Sequence, residues 1–274
     1  MSSSEHITKC VILARGLGTR MRREDASAAL DASQAAAADV GMKAIIPVGR
    51  PFLDYVLNGL ADAGFTQACL VIGPEHGAVR ERYASKMKPQ RIEVGFAIQQ
   101  EPLGTANAVL ASEKFAGADE FLTINSDNYY PAEALALIQG LGQPGTVLFP
   151  AEALVRKSNI PEERIQAYAY CVNDHDGFLA DIAEKPDLPA PADFGAGELV
   201  SMNCWRFAPV IFESCREVPL SPRKEHELPN AVKLAIQGGA KFKVAICPAG
   251  VLDLSRRSDI AEVAARLRSI EVRL

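Results

Sequence analysis

Short apolar runs that alternate with helix-forming stretches constrain the fold of this chain more than any other feature. The runs at residues 11–13, 68–73, 92–98, 121–125 and 146–151 read as strands, and residues 52–61, 76–86, 104–115 and 131–139 read as helices. Alternation at this pace predicts a mostly parallel, doubly wound sheet with helices on its faces. Ligands of such sheets lie beyond the carboxyl ends of the strands. Past Ala151 the rhythm changes. Residues 167–173 and 178–185 flank an Asp-Gly turn and read as a hairpin. Residues 198–207 and 241–247 read as further strands, and a helix over 258–270 closes the chain. Residues 186–197 are rich in proline, glycine and alanine and read as a loop. No repeat or linker divides the chain, so a single domain is expected, with residues 1–6 as a disordered tail.

The first strand runs into CVILARGLGTR, where Gly16 and Gly18 precede Thr19 and Arg20. Glycines let backbone N–H groups converge on an anion, and a nearby guanidinium adds a charged fork, so the segment reads as a phosphate seat. An ordinary strand-to-loop turn is the competing reading of a lone GxG. Residues 21–42 follow, rich in alanine and poor in large apolar side chains, and read as a mobile, partly helical lid. Beyond them Arg50-Pro51 starts a helix whose apolar residues recur at helical spacing, which leaves Lys43 upstream to point elsewhere.

A formal net charge of -5 argues against a nucleic-acid partner, because phosphate-backbone affinity needs a basic field. The 6 cysteines are scattered through apolar runs with no CxxC pair, as reduced core thiols would be. The 4 histidines lack metal-ligand spacing. No signal peptide and no membrane span are expected, and the chain reads as soluble and cytoplasmic. Whether it forms a homo-oligomer is not legible.

Five loop segments then stand out, each at a strand end: residues 16–20, 99–106, 126–128, 184–186 and 252–254. Together they carry two basic grips, a pair of carboxylates and an amide suited to a base edge. At these residues the chain resembles the sugar-1-phosphate nucleotidyltransferases, the family of the glucose-1-phosphate thymidylyltransferases and uridylyltransferases. LARGLGTRM is similar to that family's LAxGxGTRL, KAIIPVGRPFLDYVL to KxLxPVxxKPMLxYxL, and QQEPLGTANAV to QxxPLGTAxA. SDN at residues 126–128 is similar to its GDN, EKP at 184–186 matches letter for letter, and LDLSRRSDIAEV resembles WxDxGTxxdlxxa. The matches run in family order from Val11 to about Val263.

The resemblance implies a Rossmann-like (GT-A-like) α/β fold, a mostly parallel mixed sheet flanked by helices in one domain, with residues 152–250 forming the sugar-phosphate part. It also implies attack by a sugar-1-phosphate oxygen on the α-phosphorus of a nucleoside triphosphate, releasing pyrophosphate, a displacement that needs alignment and charge neutralisation. Asp127 and Asp253 would hold Mg²⁺, whose hardness suits carboxylates; taken alone, each is as readily a turn or helix-start residue. Arg20 and Lys43 would grip the triphosphate, and Lys185 the sugar phosphate. The nucleotide would lie against Leu13, Ala14, Arg15, Gly16, Gly18, Thr19, Gln99, Gly104 and Thr105. Gln99 would read the base through its amide, Gly104 would let the base approach, and Thr105 would cap the next helix. Asn128, Glu184, Ser201 and Asn203 would join Lys185 around the sugar.

The chain also departs from the family pattern. Arg15 replaces a small residue beside the base, where it could narrow the pocket, read the base or fold onto triphosphate. The 21–42 insertion is longer than the usual gap, and Arg50 replaces a second lysine. Leu252-Asp253 lacks the tryptophan that usually precedes it, and Ser255-Arg256 stands for GT. Uridine or thymidine triphosphate is the expected nucleotide, with guanosine, cytidine and adenosine triphosphates open. A catalytically inactive nucleotide-sugar-binding regulator of the same fold is the alternative reading. A related glycosyltransferase would want a DxD metal site, and a dinucleotide oxidoreductase a third glycine and an acidic residue after the second strand, where Gly73-Pro74 stands. No hexapeptide repeat is present, so an acyltransferase domain is not expected.

Overall fold

A computed structural model of the protein describes residues 6–23, 25, 28, 30–183 and 198–274. Its strands, in chain order, are β1 (Lys9–Leu13), β2 (Gln67–Ile72), β3 (Glu93–Ile98), β4 (Phe121–Asn125), β5 (Asn128–Tyr129), β6 (Gly145–Pro150), β7 (Ala169–Asn173), β8 (Leu179–Ala183), β9 (Leu199–Phe207), β10 (Lys243–Ile246) and β11 (Leu252–Asp253). The main sheet has the order β10-β6-β9-β4-β1-β2-β3, and the hairpin β7–β8 joins it along β9. Strands β3, β2, β1 and β4 are mutually parallel, as is β10 with β6, while β9 runs antiparallel between β4 and β6. The expected mixed, mostly parallel sheet flanked by helices is the one observed.

Both faces of the sheet are buried, which explains why its strands read as continuous apolar runs. Side chains alternate between the faces. Cys10 and Ile12 join Ala68, Leu70 and Ile72 on one side, under the helices Phe52–Asp62, Ala132–Gly140 and Asp259–Leu267. Val11 and Leu13 join Cys69 and Val71 on the other, under Thr105–Ala111, Ile211–Glu217 and Leu228–Gln237. The expected 104–115 helix breaks at Ser112, whose hydroxyl bonds back to Val109 O at 2.6 Å. The 76–86 helix passes into a wider π turn at Arg82–Lys86. That turn delivers Arg82 and Tyr83 to the fully buried Asp54 carboxylate, at 2.6 and 2.7 Å.

Two features near the carboxyl ends of the strands position the site. The two-residue strands β5 and β11 pair antiparallel, setting Asp253 opposite Asn128, and Leu254 N donates to Asp127 O at 2.8 Å. The chain end is thereby sewn to the loop after β4. The region expected to be a mobile lid contains the short helix Thr19–Arg22 and the helix Ala32–Asp39, the latter started by a capping box between Asp31 and Gln34. Buried Arg257 ties both to the closing segment. Its Nε donates to Met21 O at 3.0 Å, and its Nη2 reaches Arg22 O and the Asp39 carboxylate.

All six cysteines are free and buried, and burial pushes the Cys69 and Cys215 thiols up to about 12. A thiol reagent at pH 8 should therefore modify none of them in the native protein and all six after denaturation; one fast native thiol would contradict this packing. Arg257→Met should remove hydrogen bonds made by a charged donor, worth roughly 1.5–3 kcal/mol. Amide exchange in residues 19–22 and 32–42 should then quicken by about tenfold or more while β1 to β4 keep their protection. Unchanged exchange in the segment would dismiss the tether.

Candidate active site

Where β1, β3 and β4 end, the loops enclose a cavity of about 380 Å³. The turn after β1 contributes Leu13, Ala14, Arg15, Gly16 and Thr19, and the single 3₁₀ turn Lys43–Ile45 contributes Lys43. Gln99, Gly104 and Thr105 come from the loop after β3, Asp127 from the bend after β4, and Asn203 from β9. Of the residues expected around a nucleotide, Gly18 is not on the wall, and neither is Arg20, expected at the triphosphate, which lines a second cavity instead. Gly18 adopts a left-handed conformation (φ 61°) as the N-cap of Thr19–Arg22, and a Cβ there would collide with the backbone of Gly41. Its glycine serves a chain crossing. Gly16 differs, because a Cβ there would meet no protein atom, so that side of the turn is open to a ligand.

Lys43 Nζ lies 2.8 Å from Asp127 Oδ2, and the Asp127 side chain keeps 24% of its exposure. Asp253, paired with Asn128 across β5 and β11, has a carboxylate that is already fully engaged. Arg164 and Tyr168 take Oδ2, while Asn128 Nδ2 and Ser255 Oγ take Oδ1 at 3.1 and 3.0 Å. Arg164 also holds Asp259 at 2.7 Å. Burial pushes the Tyr168 hydroxyl up to about 12, so it stays a donor. Asp253 in this arrangement has no oxygen for a divalent ion and does not fit the metal role expected of it: a buried guanidinium supplies the positive charge instead. Removing one partner of such a buried set typically costs about 3–5 kcal/mol, so the arrangement is not a loose surface contact. Asn128, expected at the sugar, is likewise turned inward, bonded to Asn125 and Asp253.

A second, smaller cavity of about 180 Å³ adjoins the first, lined by Arg20, Arg164, Tyr168, Ser201, Asn203 and Pro229. Arg20 is exposed, with no side-chain partner among the described residues. Asn203 lines both cavities, for a local backbone reason. The edge of β9 that meets β4 through residues 205–207 meets β7 through residues 199–201, and the strand bulges between them. Asn203 takes a positive φ of 57° there, a conformation asparagine tolerates. Its amide is fixed by Asn125 Oδ1 and Trp205 Nε1, each at 3.3 Å.

Where the loop after β3 meets the larger cavity, Gln99 donates through Nε2 to Gly104 O at 2.9 Å and Asn107 Oδ1 at 2.8 Å. Both of its N–H bonds are thus used, and Oε1 is left as an acceptor. Gly104 (φ 102°) is required by the chain itself, since a Cβ there would lie 2.6 Å from His226 O. Thr105 does not cap its own helix. Its hydroxyl accepts from Leu228 N at 2.8 Å, satisfying a free donor at the start of Leu228–Gln237. His76, which showed no metal-ligand spacing, is buried on the wall and accepts Gly73 N–H on Nδ1 at 3.0 Å. Burial, reinforced by the charge of Arg15 and opposed by Glu75, holds its ring below the usual histidine pKa.

Glu184 and Lys185 lie outside the described residues. Arg50 reaches Asp54, away from both cavities, and Arg256 is exposed. Sequence reasoning missed Arg164, Tyr168 and Asn107. For Arg164, the only local signal was a charged residue in a segment with no strand or helix pattern.

Residues 35–267 match the model of the nucleotidyl transferase family. The chain is 25% identical to the UTP–glucose-1-phosphate uridylyltransferase AglF of Haloferax volcanii over 95% of its own length and 96% of that protein. It is 26% identical to a glucose-1-phosphate thymidylyltransferase of Streptomyces antibioticus over 93% of its length, and there it spans 65% of the relative. Among solved structures, a UDP-glucose pyrophosphorylase complexed with UDP-glucose superposes with a TM-score of 0.72 at 17% identity, covering 96% of this chain and 98% of that one. The inositol-1-phosphate CTP transferase of T. maritima gives 0.70 at 14% identity, covering 97% and 98%. With the family match spanning most of its length and the same fold in those structures, the chain belongs to the nucleotidyl transferase family.

Proposed function

We propose that this protein transfers a nucleotidyl group from a nucleoside triphosphate to a sugar-1-phosphate, releasing pyrophosphate. The observation that carries the reading is the pair of adjoining cavities with Asn203 on the wall of both. The larger, with its open glycine turn and Gln99, suits the nucleotide; the smaller, with Arg20, Tyr168 and Ser201, suits a phosphorylated sugar. Relatives that act on glucose-1-phosphate support the same class of acceptor.

In this reading a sugar phosphate oxygen attacks the α-phosphorus, and the bond from that phosphorus to the bridging oxygen of pyrophosphate breaks. A phosphate monoester is already anionic near neutral pH, so no side chain need remove a proton. What the protein supplies is alignment and positive charge. Lys43 would exchange Asp127 for triphosphate oxygens, and Arg20 would meet the phosphate that enters from the smaller cavity. Of the pair expected to bind Mg²⁺, only Asp127 is open to an ion, and a divalent cation held there together with substrate phosphate oxygens would offset the charge crowded at the α-phosphate.

Incubation with each common nucleoside triphosphate, a set of hexose-1-phosphates and a divalent salt should release pyrophosphate for at least one pair. Lys43→Ala should lower that rate by about 100-fold or more. Binding of nucleotide or nucleotide sugar with no turnover across the set would point to the regulatory alternative.

A further inference from the structure

Lys43, on the wall of the larger cavity, and Arg20, on that of the smaller, stand at the two ends of one segment. Residues 21–42 set out from Gly18 and return at Gly41, where the chain crosses itself. Both glycines have left-handed φ, 61° and 72°. A Cβ on Gly18 would lie 2.6 Å from Gly41 Cα, and one on Gly41 would lie 3.2 Å from Gly18 Cα, so only glycine permits this crossing. Arg22 Nη2 donates to Leu17 O across the same neck. Arg20 follows Gly18 by two residues, and Lys43 follows Gly41 by two.

A crossing of two residues without side chains holds the limbs together and leaves them free to pivot. Met21 and Ala38, fully buried, seat the limbs in the core, but apolar burial is non-directional. Direction comes from Arg257, itself 9% exposed. On the outgoing limb its Nε donates to Met21 O at 3.0 Å and its Nη2 to Arg22 O at 3.4 Å; on the returning limb the same Nη2 takes the Asp39 carboxylate. One guanidinium thus spans both limbs. Its own footing is fixed, since Asp259 accepts Ser255 N at 2.9 Å and Arg256 N at 2.7 Å, and Arg164 holds Asp259.

We propose that Arg257 is a positioning residue for the transfer reaction, clasping the two limbs so that Lys43 and Arg20 keep a fixed separation across the two cavities. Arg257 is on the wall of neither cavity, so it acts through those two cations. Each of them has a long, flexible side chain and can find its own phosphate without the clasp. Alignment of both phosphates at once is less forgiving, because a misplacement of about 1 Å can cost about 100-fold in rate. Loss of the clasp therefore falls on turnover more than on the binding of either substrate.

This role rests on the nucleotidyl-transfer reading, and the test separates the two. With the nucleoside triphosphate and hexose-1-phosphate that the natural protein turns over best, kcat and both KM values are measured for it, Arg257→Met, Asp39→Ala and Lys43→Ala, and for each of the first two variants combined with Lys43→Ala. Arg257→Met should lower kcat by about tenfold or more and change either KM by less than about threefold. Asp39→Ala alters a side chain that keeps 65% of its exposure, so the fold survives it. It should lower kcat by at least about threefold, again with little change in KM. In the Lys43→Ala background, with that cation no longer there to position, Arg257→Met should cost less than about threefold. Asp39→Ala, alone and in that background, decides by the same criterion if Arg257→Met does not fold. An undiminished loss in the Lys43→Ala background, a loss confined to KM, or an unchanged kcat in either single variant would overturn the proposal and leave the transfer reaction standing. No turnover by the natural protein would end both.

Discussion

The antiparallel pairing of Asn128–Tyr129 with Leu252–Asp253 is the contact on which the arrangement of the site depends. Two residues per strand make a weak ladder by themselves. The buried side chains behind it hold it shut, with Asp253 taken by Arg164, Tyr168, Asn128 and Ser255, and its backbone by both ends of the Asn159 amide. Through this closure the end of the chain reaches the loop after β4. From there Arg257 extends the same support to Met21 and Arg22, just beyond the glycine turn after β1.

Charge in the site is handled differently at its two ends. Near Asp127 the charges are matched but separable, since Lys43 and Asp127 are partly exposed and neutralise one another across a single contact. Near Asp253 they are matched and sealed, with Arg164 bridging Asp253 and Asp259 out of water. Arg15 represents a third condition, a buried cation whose Nη2 meets Gln100 O and the half-exposed Glu75 carboxylate while Nε and Nη1 have no hydrogen-bond partner. Exchange of partners is easiest at the first and costly at the second. This ordering comes from burial and hydrogen bonding together, and the residue types alone do not give it.

Much of the fold was legible because it is written in local periodicity. The parallel strands, the β7–β8 hairpin and the helix Phe52–Asp62 were each marked by apolar spacing or turn chemistry. Helices such as Ala151–Lys157 and Ile211–Glu217, lying among stretches without a clear pattern, were not. The site segments were also legible, since glycine turns and charged loops at strand ends can be read in order. Their partners were not. Nothing near Arg164 in sequence announces Asp253, 89 residues away, and nothing near Arg257 announces Met21, 236 away. Thr105 shows the same limit, for a hydroxyl that reads as a cap for its own helix satisfies another one from a distance. Gly104 was read as room for a ligand, whereas the backbone of His226 already occupies that side.

In the proposed reaction, two reactants lie in the two adjoining cavities and meet beside Asn203. A crystal structure with the nucleotide-sugar product bound tests it most directly. The expected result has the base against Gln99, the sugar beside Ser201 and Asn203, and Lys43 drawn from Asp127 to phosphate. A product bound with its sugar in the larger cavity and its base beside Arg20, or bound outside both cavities, would contradict it.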